Sequence, residues 1–279
     1  MHNILLSILF STLLIIIFKL FRKYEINILQ AILINYITAA ITGFLIHPFY
    51  LSAEAWIPVA GGLGVLFVII FLIMAITTQQ AGIAVASVAA KMSMVIPITV
   101  SIFYLHEKIN YWQWAGITTA ILSVFFISYH KEKMKKNIWA FILPVLLFLG
   151  SGLIDTSLNL IQKKWIDSTD FIPFISVVFF FAFASGIIYL MIKRKQAFTW
   201  KSIMAGVVLG LCNWGSLYFL LHALSGSGWQ TAVVFAINNL GIVLCAAIAG
   251  IGLFKERYST LNYIGLALSI ITIALLSFQ

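Results

Sequence analysis

Lys91 stands in the stretch SVAAKMSMVIPI, residues 87–98, about halfway along an apolar run from Ile83 to Leu105. If that run crosses a bilayer, the lysine lies about ten residues, roughly 15 Å, from its start. Its stem does not comfortably reach the headgroups from there. A charged lysine facing lipid at mid-depth costs at least about 2.5–3.5 kcal/mol on insertion scales. A watery cavity or an acidic partner removes most of that cost, and an ammonium facing such a cavity can neutralise or orient an anionic group. The other reading is a structural lysine tied to backbone carbonyls or other polar groups.

Asp155, in GSGLIDTSLNL, is a second charge inside an apolar run, with Ser151 four residues before it and Asn159 four after. In a helix this spacing puts all three on one face, so Asp155 with Asn159 is expected either to bind an amine or exchange a proton, or to make helix–helix hydrogen bonds. A direct Lys91–Asp155 pair meets a difficulty. Both spans run the same way, and Asp155 lies about seven residues, roughly 10 Å, further along its own. A shared cavity is the safer expectation.

Further polar and aromatic groups fall at mid-depth. Asn238 and Asn239 in FAINNLG are adjacent, so they cannot both face lipid without leaving amide groups unsatisfied. Such asparagines serve either as interhelical glue or as ligands. Asn213, Trp214 and Tyr218 in LCNWGSLYF, and more weakly Asn35 and Tyr36, are candidates for the wall of a substrate pocket; bulk packing is the alternative. Pro97, six residues beyond Lys91, removes one backbone hydrogen bond and is a candidate hinge.

No enzyme signature accompanies these residues. The histidines, His2, His47, His106, His130 and His222, are scattered without metal-ligand spacing, and no phosphate-cradling glycine loop or nucleophile elbow occurs. Cys212 and Cys245 lie in separate apolar runs and are expected to pack as small apolar residues, not as a disulfide or zinc site. No catalytic residue, metal or cofactor is expected.

The elements that must position these groups follow from composition. The 279 residues are 62% hydrophobic and 9% charged, with a mean hydropathy of +1.08, against about 45–50% apolar and 25% charged for soluble domains. Such a chain is a polytopic helical membrane protein. Apolar windows bounded by charge, proline and glycine predict ten transmembrane helices, over 3–20, 27–46, 56–78, 81–104, 112–129, 138–162, 171–192, 200–222, 229–253 and 261–277.

Charge gives their orientation. Thirteen basic residues follow odd-numbered spans: Lys19, Arg22, Lys23, Lys131, Lys133, Lys135, Lys136, Lys193, Arg194, Lys195, Lys201, Lys255 and Arg257. Three follow even-numbered ones: Lys108, Lys163 and Lys164. The net charge of +9 is therefore a topological signal, and nothing in the sequence asks for nucleic acid. By the positive-inside rule both termini are extracytoplasmic in a multi-pass cell (inner) membrane protein. Seven tryptophans, Trp56, Trp112, Trp114, Trp139, Trp165, Trp200 and Trp229, fall at span ends, as amphipathic indoles prefer; Trp214 does not.

The chain also echoes itself. LHEKINYWQWAGI and FKERYSTLNYIGL share an apolar residue, any residue, Glu and a basic residue, then seven residues, then Gly. This matches Glu107, Lys108 and Gly116 with Glu256, Arg257 and Gly265. Each copy precedes the last span of a five-span unit. Because five is odd, the second unit enters the membrane from the opposite side, giving an inverted-topology repeat. The expected units are 1–130 and 138–279, joined by a basic cytoplasmic linker, 131–137.

In this architecture and its paired Glu-containing turns the sequence resembles the drug/metabolite transporter superfamily, in its ten-helix EamA-type branch. The resemblance covers essentially the whole chain. It implies an all-α bundle around a central cavity between the halves, with the fifth and tenth helices peripheral. One departure is that Ala246 stands where the second half would match Pro97, so a proline hinge would belong to the first half only.

The expected function is a secondary transporter or facilitator moving a small organic metabolite by alternating access. The solute is amino acid-like, amphipathic or anionic, protons are possible coupling ions, and the resemblance makes export the commoner direction. A membrane-embedded lipid-modifying enzyme would need a facing His–Asp pair, and a non-transporting scaffold would tolerate leucine at Lys91. Oligomeric state is open, and a monomer suffices for the mechanism.

Overall fold

The computed structural model describes residues 2–48, 56–105, 110–129, 138–164, 171–192, 198–226, 229 and 231–277. Among them run eleven helices: α1 (His2–Lys23), α2 (Ile28–Ile46), α3 (Ile57–Gln80), α4 (Ile83–Met92), α5 (Val95–Leu105), α6 (Tyr111–Ser128), α7 (Trp139–Lys164), α8 (Phe171–Ile192), α9 (Trp200–Gly226), α10 (Thr231–Gly252) and α11 (Thr260–Ser277). The described residues contain no strand. Among the described residues, eight stretches are long and apolar enough to cross a membrane, α4 and α5 together forming one from Ile83 to Tyr104. The chain is an all-α, multi-pass membrane protein. The remaining helices, α6 and α11, are 18 residues each.

Local chemistry sets the helix starts. The Asn27 side chain accepts from the Gln30 N–H at the head of α2. At α6, Asn110 and Gln113 form a reciprocal capping box, which satisfies two otherwise unpaired backbone donors. Ser259 and Asn262 repeat that arrangement at α11.

The fourth apolar run is not one helix. It breaks at Ser93 and Met94, between α4 and α5. Pro97 lacks the N–H that would bond to the Ser93 carbonyl four residues earlier, and its ring crowds that carbonyl. Instead, the Ile96 N–H donates to the Ser93 carbonyl at 2.9 Å. No such break interrupts α10, where buried Ala246 stands in the corresponding position.

Packing joins the first half of the chain to the second throughout. Helix α1 lies on α9 and α10, α2 on α8 and α9, and α3 on α7 and α8; α4 meets α7 and α10, α5 meets α7, and α6 pairs with α11. Small residues set the closest approaches. A Cβ on Gly64 would lie 2.6 Å from the Ala182 nitrogen on α8, and one on Gly210 would lie 2.7 Å from the Asn35 carbonyl on α2. Gly62 has open space and Gly61 only ordinary contact, so the GGLG motif packs through its last glycine. In the α6–α11 pair, Gly116 abuts Leu276 and Gly265 abuts the Ile127 backbone. Both motif glycines thus lie in one interface.

The densest part of the core is aromatic. Tyr36, Phe67, Phe71 and Phe179 from α2, α3 and α8 pack ring against ring. Trp112, Trp114, Trp139, Trp200 and Trp229 are exposed, as interfacial residues should be, whereas Trp56 is buried against Phe174.

Candidate functional site

The break beside Lys91 is where three apolar segments meet. Ser93 Oγ lies 2.6 Å from the Ala90 carbonyl and 3.1 Å from Asp155 Oδ2 on α7, able to donate to either. One residue on, Met94 Sδ accepts from Asn239 Nδ2 on α10 at 3.3 Å. A single unwound turn therefore touches the sixth and ninth apolar spans at once.

The helix ends explain why opposite charges collect here. Lys91 lies in the last turn of α4, where the partial negative charge of unpaired carbonyls favours a cation. Asp155 lies beside the start of α5, where unpaired N–H groups favour an anion. Lys91 and Asp155 are close enough to interact electrostatically. They are not in contact: among the described residues the one ion pair is Lys19–Glu256. A direct Lys91–Asp155 ion pair is therefore absent among the described residues.

Asp155 faces inward. At 100° per residue it lies on α7 between Gly150, which abuts Ile70 of α3, and Gly152, which abuts Ile96 of α5. The opposite face carries exposed Leu146, Leu149 and Leu153. Even so, Asp155 and Asn159 are accessible. Lys91 is half-buried and Asn239 nearly fully buried. Asn238, only 2% exposed, leaves its Oδ1 without a hydrogen-bond partner.

Other expected pocket residues lie elsewhere. Tyr36 is fully buried in the aromatic core and donates to the Phe67 carbonyl at 2.8 Å, so it has no surface left for a solute. Asn213 donates to Asn35 at 3.2 Å, a buried amide pair joining α9 to α2. Trp214 is buried with its ring against Gly43, and its indole N–H has no partner. Tyr218 packs on His222 one turn further along α9, with ring centroids 4.1 Å apart. These residues stitch helices together and are not gathered at the break. Pro97 is in the first turn of α5, immediately beyond it.

The repeated turns divide into a described and an undescribed copy. Glu107 and Lys108 lie outside the described residues. Glu256 accepts from the Ile83 N–H, at 3.0 Å to Oε2 and 3.2 Å to Oε1, and so caps α4, the helix that carries Lys91 in its last turn. It also pairs with Lys19 of α1, which donates to the Thr78 carbonyl at 3.2 Å. Tyr258 donates to Glu256 at 2.8 Å, and its hydroxyl lies near the Ala84 backbone. Arg257 is exposed. Ser93, Met94 and Tyr258 were not among the expected site residues, and Lys19 was expected only as one of the charges that set orientation. Ser93 alone carried a signal, standing four residues before Pro97.

No family model matches the chain. It is 29% identical to an uncharacterized protein of Haemophilus influenzae over 281 residues, covering 97% of this chain and 95% of that protein. A protein of known crystal structure, 11% identical, superposes with a TM-score of 0.58 over 98% of each chain, a likeness of fold.

Proposed function

We propose that the chain is a secondary transporter or facilitator that moves a small organic solute across the cell membrane by alternating access, with export as its direction. The observation that carries this reading is the interrupted span at Ser93–Met94, bordered by Lys91, Asp155 and Asn239. A helix broken inside the membrane offers unpaired backbone groups of both signs to a ligand. With a cation and an anion beside it, the site suits a solute bearing both a carboxylate and an amine, as amino acids do. Lys91 meets the carboxylate; Asp155 meets the amine or exchanges a proton.

The architecture in this proposal is ten spans in two inverted units, 1–130 and 138–279, with α6 and α11 as the fifth and tenth. The pattern of helix neighbours supports it. Exchanging the units turns the α1–α10 contact into α7 against α4 and α5, α2–α9 into α8–α3, and α1–α9 into α7–α3. The α6–α11, α2–α8 and α4–α10 pairs map onto themselves. The capping boxes Asn110–Gln113 and Ser259–Asn262, and the glycines Gly116 and Gly265, keep one register. The charge bias puts the Lys19–Glu256 end in the cytoplasm.

Purified protein in liposomes, screened for uptake of labelled amino acids and other metabolites with and without a protonophore, tests the reading. The expected result is saturable, vectorial flux that Lys91→Ala abolishes. Wild-type flux in Lys91→Ala would overturn the site; no flux for any solute in the screen would overturn the function.

A further inference from the structure

Seven groups from four places in the chain converge at the Lys19 end of the bundle. Lys19 of α1 pairs with Glu256 and donates to the Thr78 carbonyl of α3. Glu256, from the turn between α10 and α11, takes up the first backbone N–H of α4, that of Ile83, and Tyr258 of the same turn donates to Glu256 with its hydroxyl near the Ala84 backbone. Gly82 completes the cluster. Its φ of +126° lies in the region glycine favours, and a Cβ there would stand 2.8 Å from Glu256 Oε2. The turn that delivers Glu256 is itself constrained, with Lys255 at φ 51° and the Glu256 N–H bonded to the Gly250 carbonyl at 2.9 Å.

We infer that Glu256 is a latch: docked on the head of α4 and on Lys19, it closes this end of the protein and positions the half-helix that carries Lys91. Three features favour this role over simple capping. The latch crosses between the two halves of the chain, so the halves cannot part at this end while it holds. The helix it caps has ten residues and its hydrogen-bond ladder stops at the Pro97 break, so α4 can tilt without carrying α5. Lys91 is eight residues beyond Ile83, about 12 Å along the axis, so movement at the capped end is transmitted to the ammonium. Glu256 is a positioning residue, acting on solute through α4. The inference rests on the transport reading, because a latch matters only if this end must open.

Ser87 provides the test. It is one turn before Lys91 on the same face of α4, fully buried, with its hydroxyl unpaired, so Ser87→Cys is close to isosteric. In a Cys245→Ser background, buried Cys212 on α9 serves as an internal monitor of the fold. Inside-out vesicles are treated with a membrane-impermeant maleimide, and each cysteine is quantified by peptide mass. The expected result is slow modification of Ser87→Cys alone and a rise of about tenfold or more when Glu256→Gln, Lys19→Met or Gly82→Ala is added, Cys212 staying protected. The Glu256→Gln/Lys19→Met double variant should label no faster than Glu256→Gln, because the pair acts as one unit. Unchanged labelling in all three variants overturns the latch. So does modification of Cys212 alongside Ser87→Cys, which would make the cluster a support of the whole fold. The labelling needs no solute, so a protein that opens in this way yet transports nothing would refute the transport reading alone.

Discussion

Ser93 of the unwound turn and Asp155 of α7 lie within hydrogen-bonding distance, Oγ to Oδ2 at 3.1 Å. The serine is buried and the carboxylate is accessible, so the contact restrains where the only described acidic group near Lys91 can point. Asp155→Asn keeps the shape and removes the charge. It should lower initial uptake by at least about tenfold if a hydrogen bond to charge worth about 1.5–3 kcal/mol is lost from the bound state. Ser93→Ala leaves the charge and frees its orientation, and a loss of about fivefold is expected, near 1 kcal/mol. Uptake rates at subsaturating solute separate the two; equal rates for wild type and Asp155→Asn would remove Asp155 from the site.

Lys91 separates a ligand group from a structural one. If it serves the solute, Lys91→Ala abolishes transport and relieves a charge that costs about 2.5–3.5 kcal/mol at mid-membrane when unpaired, so the unfolding temperature in detergent should hold or rise. If the ammonium ties backbone carbonyls together, the same substitution lowers that temperature. Lys91→Arg keeps the charge on a planar, forked group and should retain measurable flux with altered solute preference.

The helices were legible in the sequence to within four residues at their outer ends, because apolar runs about 20 residues long have one stable form in lipid. The expected window of 171–192 is α8 itself. The break at Ser93 was half legible: Pro97 announced a lost hydrogen bond, but the cost falls four residues upstream, on the carbonyl it fails to meet. The meeting of Ser93 with Asp155 and of Met94 with Asn239 could not be read, since neither periodicity nor depth fixes how neighbouring helices are rotated. Tyr36 shows the opposite error. Its mid-span position matched a pocket residue, while its burial depends on three phenylalanines from other helices. Glu256 was noticed as half of a repeat, yet its partners, Lys19 and Ile83, are more than 170 residues away.

Two glycines of the same chain should respond in opposite ways to one methyl group. A Cβ on Gly265 would lie 2.4 Å from the Ile127 backbone nitrogen, and backbone cannot yield as a flexible side chain can. Gly265→Ala should therefore force α6 and α11 apart and cost about 1–3 kcal/mol. Gly62 in α3 has nothing within 4 Å, so Gly62→Ala should be neutral or stabilising by up to about 1 kcal/mol through helix propensity. Denaturant titration in mixed micelles checks both; a Gly265→Ala protein as stable as wild type would show that the pair is looser than its geometry.

Tyr258 gives the latch a pH signature. Burial, and then the adjacent Glu256 carboxylate, push its phenol well above the ordinary tyrosine value, so in the folded protein it stays protonated and keeps donating to Glu256. The sign follows from linkage. Below about pH 10 the phenol is protonated in folded and unfolded chains alike, and its contribution to stability is fully present. Above about pH 10 the unfolded chain loses the proton while the folded one holds it, so stability declines as pH rises. Tyr258→Phe deletes that term: its unfolding temperature should fall less steeply between about pH 10 and 12 than that of the wild type. At neutral pH the variant should be less stable by about 1.5–3 kcal/mol, because the Glu256 carboxylate loses the phenol donor. Parallel pH profiles for the two proteins would mean that the phenol is solvated and that Glu256 caps α4 without it.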